Sequence, residues 1–410
     1  MVQVFSGLFF LAISFSLIIV LLVISVPANL DTLTSFHPLA LFFSCISAFL
    51  IAFYWLYKGI QNAIRVLSFH DKSASKSIRE LVFPTGKPAP RSFLVALGGG
   101  SGLGTLLKGL KEHPINLTAI VTDTDDGGSS GRLRKDLQIL PPGDIRNCLV
   151  ALSSSESLMS KLFQYRFAEA GDVSGHSFGN LFIAAMTGVL GDFGNAVRES
   201  SSILSIKGNV VPVTGENVQL KAAFSDGTEV IGETAITSEG KRIIEIGLQP
   251  PSAKANPEAL NAIDRADLVV LGPGSLFTSV IPNLLVPEIS EKIEKCSAQI
   301  VYICNVMTQP GETDNFTAVD HVNAILEKTL LHRIDIVIVN NRRVARALMA
   351  KYEIQGQFWV APTVTWIEDK GIRVITGDFL SETDFVRHNS AAIAEVILSL
   401  LNEPKKSKIR

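Results

Sequence analysis

Cysteine is scarce, with four in 410 residues. Cys45 lies in an apolar run, and Cys148, Cys296 and Cys304 stand in apolar surroundings. None falls in a C-x-x-C or Cys/His ligand spacing, which excludes a zinc cage and a disulfide framework. Charge is scarce too, at 19% of residues, against about 25% in an ordinary soluble chain. Hydrophobic residues make up 47%, so a disordered or low-complexity chain is excluded. The length excludes a small scaffold that relies on disulfides and allows about two to three domains. No internal repeat is present.

The mean hydropathy of +0.31 has a local cause. Of the first 58 residues, 41 are hydrophobic, and the charged ones are Asp31 and Lys58. Residues 5–26 form an uncharged run long enough to cross a bilayer core as a helix. Pro27 ends it, Pro38 opens the next segment, and residues 39–57 form a second run. Tyr54, Trp55 and Tyr57 close that run, where amphipathic rings favour the interface. A cleaved signal peptide is the alternative, but Met1-Val2-Gln3 lacks the positive start that one requires. Residues 1–57 are therefore expected to be two transmembrane helices.

Charge orients the hairpin. Residues 58–91 carry a net +5, while the loop between the runs has no lysine or arginine. The positive-inside rule then places the main domain in the cytoplasm of a multi-pass membrane protein. The basic linker either touches anionic lipid or is simply solvated. Residues 402–410 form a basic tail of net +3. Residues 92–401 are left with a net charge of −9, which speaks against nucleic-acid binding.

Within 92–401, strand and helix patterns alternate. Apolar strands are expected at 93–97, 117–121, 268–271, 300–304, 334–339 and 372–375. Helices are expected at 144–152, 157–167, 177–190 and 192–206. Residues 209–248 alternate in short runs with turn residues between them, the pattern of a small β insertion. The fold class is α/β, a Rossmann-like, doubly wound, mostly parallel sheet.

The chemistry-bearing motifs sit where strands end. Gly98 to Gly102, with Gly104 beyond, link the first strand to a helix. Glycines there let backbone N–H groups approach an anion. The spacing is neither G-x-G-x-x-G nor a Walker A loop. Asp123, Asp125 and Asp126 follow the second strand, with Arg132 and Arg134 after them. Carboxylates there suit a hard cation or sugar hydroxyls, the arginines suit phosphate, and a solvated loop is the bland reading. The spacing is not that of an EF-hand. Pro141-Pro142-Gly143-Asp144-Ile145-Arg146-Asn147 opens a helix, with Asp144 readable as a cap or as a functional carboxylate. Gly175-His176-Ser177-Phe178-Gly179 matches the hydrolase elbow G-x-S-x-G, but no buried strand precedes it, so a triad is not expected. His176 and Asn180 remain as ligand contacts at a helix start. Gly272-Pro273-Gly274-Ser275, with Thr278, repeats the first glycine loop after a later strand, which suggests two sides of one phosphate-bearing crevice. Asn305, Thr308, Gln309, Glu312 and Thr313 follow the next strand.

These strings together resemble the bacterial gluconeogenesis-factor family, which is related to 2-phospho-L-lactate transferase. The strings are GGGSGLGTLLKGLK, TDTDDGGSSGRLR, PPGDIRNCLVAL, GHSFGNLFIAA, LGPGSLFTSVIPNLL and NVMTQPGETD. The resemblance covers residues 92–401 and leaves the N-terminal hairpin outside the family's common soluble pattern. It implies a Rossmann-like fold and a nucleotide-sugar ligand of the UDP-N-acetylglucosamine type. It also implies a regulatory role in carbon flux, cell wall synthesis and cell shape. Gly99, Gly100, Ser101, Gly102, Gly274, Ser275, Thr278 and Arg387 would contact the nucleotide and its phosphates. Asp125, Asp126, Asp144, Arg146, Asn147, His176, Asn180 and Asn305 would contact the sugar or acceptor. Arg387-His388 matches an arginine–histidine element tied to nucleotide-sugar contact. Ser101 stands where the family has threonine, and Thr122-Asp123-Thr124 departs from its usual strand end.

The alternative activity is a phospholactate-type transferase using a nucleotide-activated donor and Mg²⁺, with Asp144 as its catalytic residue. The expected partners are the nucleotide sugar, the membrane through the hairpin, a homo-oligomer and a protein that reads the ligand state. A cytoplasmic location, as in soluble family members, is the alternative to the membrane.

Overall fold

The computed structural model describes residue 58 and residues 92–153, 158–168, 171–382 and 385–403. The expected transmembrane hairpin, the basic linker beyond residue 58 and residues 404–410 of the tail lie outside the described residues. Among the described residues, no helix is long and apolar enough to cross a membrane.

Seven strands form a wholly parallel sheet. They are β1 (Phe93–Gly98), β2 (Asn116–Val121), β3 (Asn209–Pro212), β7 (Leu268–Leu271), β8 (Gln299–Ile303), β9 (Ile336–Asn340) and β10 (Arg373–Gly377). The order is β10-β9-β8-β7-β1-β2-β3. The chain runs outward from β1 to β3 and then returns to lay β7 against β1. The direction of winding therefore reverses between β1 and β7, the place where open α/β sheets bind ligands.

Two cores flank the sheet because side chains alternate along each strand. Val95 and Leu97 face one core, while Leu94 and Ala96 face the other. The second core takes Leu103, Leu106, Leu107 and Leu110 from helix Gly100–Leu110, together with Ile393 and Ile397 from helix Ser390–Asn402. The first takes Ile263 from helix Pro257–Arg265 and Ile289 and Ile293 from helix Pro287–Lys295. Strands buried on both faces read as continuous apolar runs, which is why Leu268–Leu271 is apolar throughout.

The segment 209–248 needs correction as a β insertion. Its first strand, β3, pairs with β2 in the main sheet. The separate antiparallel sheet is β4 (Gln219–Phe224), β5 (Glu229–Ile231) and β6 (Ile243–Gln249), and it also carries helix Glu233–Ser238. β3 is buried on both faces, with Val210 in one core and Val211 in the other, whereas β4 alternates buried and half-buried residues. The helix expected at 157–167 stops at Gln164, and Arg166 instead pairs with Ser177 in an isolated bridge. The polar stretch after β2 turns into helix Gly128–Leu137. A hairpin of β11 (Leu380–Glu382) and β12 (Val386–His388) precedes the last helix.

Candidate functional site

A cavity of about 530 Å³ opens at the carboxyl ends of β1 and β7. Its floor is the two glycine loops. Gly99, Gly100, Ser101 and Gly102 come from the turn between β1 and helix Gly100–Leu110. Gly274, Ser275 and Thr278 come from the turn after β7 and the π-helical turn Leu276–Val280 that follows. Gly100 has φ +60°, a conformation natural to glycine and costly for a side chain with a branched β-carbon. Asn283 ties the loops together, its Nδ2 donating to Gly98 O at 3.2 Å and to Ser279 O at 2.7 Å.

The wall beside the second loop comes from the segment after β8. Asn305, Met307 and Gln309 line the cavity. Gln309 Nε2 donates to Ser275 Oγ at 2.7 Å, and Asn305 Nδ2 donates to Gln309 Oε1 at 3.4 Å. Thr278 Oγ1 donates to Glu312 Oε1 at 3.3 Å. Burial pushes the Glu312 carboxyl up to about 7, against the pull of the Thr278 hydroxyl and the Phe277 and Thr278 amides.

Three carboxylates face the floor: Asp125, Asp144 and Glu233. The Gly100 amide donates to Asp144. Burial first, and then the Asp125 charge, still pushes Asp144 up to about 7. Glu233 rises further, to about 9, through burial and then the charges of Asp125, Asp144, Glu312 and Asp126. Arg387 is the one lysine or arginine among the described lining residues. Its guanidinium lies 5.6 Å from the Phe385 ring centroid. His388 also lines the cavity, with Nε2 3.1 Å from Cys304 O, and burial pushes it down to about 4. The imidazole is thus neutral at physiological pH, with Nε2 as the donor to that carbonyl.

The remaining expected contacts, Asp126, Arg146, Asn147, His176 and Asn180, are not among the residues that line the cavity. Asp126 Oδ1 accepts from Thr234 N at 2.8 Å and from Thr234 Oγ1 at 2.7 Å, holding the helix that carries Glu233. Arg146 donates to Ser177 Oγ and to Asn147 Oδ1, both at 2.6 Å. Ser129 Oγ bridges His176 Nδ1 and Asn180 Nδ2, each at 3.0 Å. Asp123 is fully buried, and burial holds its carboxyl well above the usual range. Ser177 is the N-cap of helix Phe178–Leu190, accepting from Asn180 N at 3.2 Å. That is a structural role and not a nucleophile's.

Glu233 is a lining carboxylate that sequence reasoning does not single out. It lies in the insertion, about a hundred residues from its charged neighbours, and no local motif marks it. Gln357, which also lines the cavity, likewise stands outside every motif.

Among the described residues, no three Asp, Glu, His or Cys side chains are grouped to cage a metal. Mg²⁺ asks for less, since one or two carboxylates suffice when a substrate phosphate completes its shell. Asp125, beside Asp144 in the same cavity, fits that partial role.

The comparisons with known proteins agree with this geometry. Residues 94–380 match the family model of 2-phospho-L-lactate transferase CofD. A protein named gluconeogenesis factor from Bacillus subtilis is 46% identical over 311 residues, spanning 76% of this chain and 98% of that one. A gluconeogenesis factor from Listeria innocua is 42% identical over 316 residues, spanning 77% and 97%. A crystal structure of a UPF0052 family member from Bacillus halodurans is 46% identical, covers 76% of this chain and 99% of its own, and superposes with a TM-score of 0.74. The chain belongs to the CofD/UPF0052 family, which includes the gluconeogenesis factors.

Proposed function

We propose that the crevice binds a nucleotide sugar of the UDP-N-acetylglucosamine type and that the protein is a regulator of carbon flux, wall synthesis and cell shape. The observation that carries this is the joining of two glycine loops at the β1/β7 reversal, with Arg387 on the same cavity. Backbone amides of Ser101 and Gly102 and the hydroxyls of Ser275 and Thr278 suit a diphosphate. Arg387 offers a planar fork to a phosphate or a uracil carbonyl. Asn305 and Gln309 offer amide groups to sugar hydroxyls. Asp126, Arg146, Asn147, His176 and Asn180 serve as supports that hold the wall in place.

In this reading the apolar runs at 5–26 and 39–57 anchor the crevice at the inner face of a bacterial membrane. A protein partner then reads whether the crevice is filled, and self-association is a second route to the same output.

A transferase reading is favoured by one specific observation: the Asp144 carboxyl, raised to about 7, faces the floor. An acid–base group poised near neutrality suits proton removal from an acceptor hydroxyl. The hydroxyl oxygen would form a bond to the donor phosphorus as the nucleotide monophosphate leaves. Asp144 takes the hydroxyl proton, and the Ser101 and Gly102 amides hold the phosphate oxygens. Mg²⁺ held by Asp125 would neutralise phosphate charge, which leaves Asp144 free to take the proton.

Calorimetry of the full chain with UDP-N-acetylglucosamine and with GTP, followed by product analysis with a phospholactyl donor, tests both. Binding of the UDP-sugar without turnover supports the regulator. Turnover with the phospholactyl donor overturns it.

A further inference from the structure

A second cavity, of about 420 Å³, lies at the other end of the sheet. It is formed where helix Gly100–Leu110 ends, where β2 begins at Asn116 and where β3 begins at Asn209. Its side-chain cations are Lys111 and Lys207, with His113 beside them. Nothing in the ligand crevice uses these residues, because the crevice is at the carboxyl ends of the strands and this pocket is at the amino ends.

The local charge runs against that of the domain. Residues 92–401 carry a net −9, yet the charges of Lys207 and Lys108 both bear on Lys111 here. The nearest carboxylate is Glu112, 2.6 Å from Lys207 Nζ, and both of these side chains are more than half exposed. An exposed pair of this kind holds its partner weakly. Lys111 Nζ donates to Ser153 O at 2.5 Å, which uses one of its three protons and fixes the ammonium at the pocket wall. Burial lowers the Lys111 pKa, Glu112 opposes that, and Lys207 and Lys108 lower it further. An anion that enters between the two ammonium groups relieves their repulsion and gains charge-assisted hydrogen bonds from both.

The chain's path points the same way. Asn116 N donates to Ser92 O at 2.9 Å, so the chain enters β1 at this end of the sheet. In sequence, the stretch that precedes β1 is the net +5 segment 58–91. We infer that the pocket between Lys111 and Lys207 binds a phosphate-bearing anion, either a lipid headgroup or a free phosphate.

Hydrogen–deuterium exchange of the full chain tests this. The probes are inorganic phosphate, phosphatidylcholine bilayers, and phosphatidylcholine bilayers containing phosphatidylglycerol. Slower exchange at residues 111–117 and 207–209 with inorganic phosphate identifies a free phosphate group. Slowing that requires phosphatidylglycerol identifies a lipid headgroup. In either case Lys207→Gln weakens the response about tenfold, the worth of one charge-assisted hydrogen bond. Lys111→Gln, which keeps a donor for the Ser153 carbonyl, has the same effect. No slowing with any probe overturns the inference. So does slowing equal in phosphatidylcholine alone, or slowing that both variants retain.

Discussion

Gly102 packs against Gly274 so closely that a β-carbon on Gly102 would stand 2.7 Å from the Gly274 Cα and 2.6 Å from the Pro273 carbonyl oxygen. These residues sit in two turns more than 170 positions apart in the sequence. Their contact turns two separate glycine loops into one floor. Gly102→Ala is expected to push the loops apart, costing about 1–3 kcal/mol of stability as an overpacked contact. UDP-sugar affinity is expected to fall at least as far. Thermal unfolding and calorimetry on the same preparation check both effects.

Gly100 tests the phosphate cradle by a different route. A β-carbon there meets only Asp144 Oδ1 within 4 Å, at 3.7 Å, so space is not the obstacle. The obstacle is φ +60°. Gly100→Val must shift the turn that presents the Ser101 and Gly102 amides or carry a strain of roughly 1–3 kcal/mol. Loss of UDP-sugar binding with the fold retained is the expected result, and unchanged affinity would sink the cradle.

Asp144 links the crevice to pH. Its carboxyl rises from 3.8 to about 7 in the fold. The folded state therefore holds a proton that the unfolded chain has already lost between those values. Stability from this group is present below about pH 4 and falls away as pH climbs to about 7. Asp144→Asn should remove that part of the slope, so the variant gains on the parent as pH rises through the window. Melting temperatures of both proteins from pH 4 to pH 8 show this, and parallel curves would contradict it.

Arg387 is the cation of the crevice, and its side chain is mainly a surface group. Arg387→Ala should cost about 1.5–3 kcal/mol of ligand binding, the range for hydrogen bonds to charged groups. That is roughly a 10- to 100-fold loss, with the melting temperature nearly unmoved. Calorimetry beside a melting curve separates this from unfolding.

Ser177 separates a cap from a nucleophile. It accepts from Asn180 N and from Arg146 Nη1. Ser177→Ala should lower stability by about 0.5–2 kcal/mol, the cost of a lost N-cap. Loss of an esterase activity in that variant would instead support a hydrolase.

The apolar runs, the strand–helix alternation and the glycine-loop residues were all legible in the sequence. Each depends on near neighbours: the period of hydrophobicity, or a turn that only glycine makes readily. The floor residues Gly99 to Gly102, Gly274, Ser275 and Thr278 were legible for this reason, and each lines the cavity. Asp126, Arg146, Asn147, His176 and Asn180 are polar residues at strand ends and helix starts, and in the structure they hydrogen-bond to neighbouring groups and do not line the cavity. The same residue types cap helices and satisfy buried donors, and a local pattern cannot separate these uses. Strand β3 was misassigned because its partner is β2 and not the sheet that follows it.

The sequence by itself determined that an apolar N-terminal stretch precedes an acidic α/β domain with two anion-suited turns. Only the tertiary structure decided that β7 returns beside β1, so that the two turns share one floor. It also brought Glu233 from the insertion beside Asp125 and Asp144. The reason is that turn conformation is set by adjacent residues, whereas charge and desolvation act through space. Groups far apart along the chain acquire perturbed proton affinities only after the sheet order has placed them together.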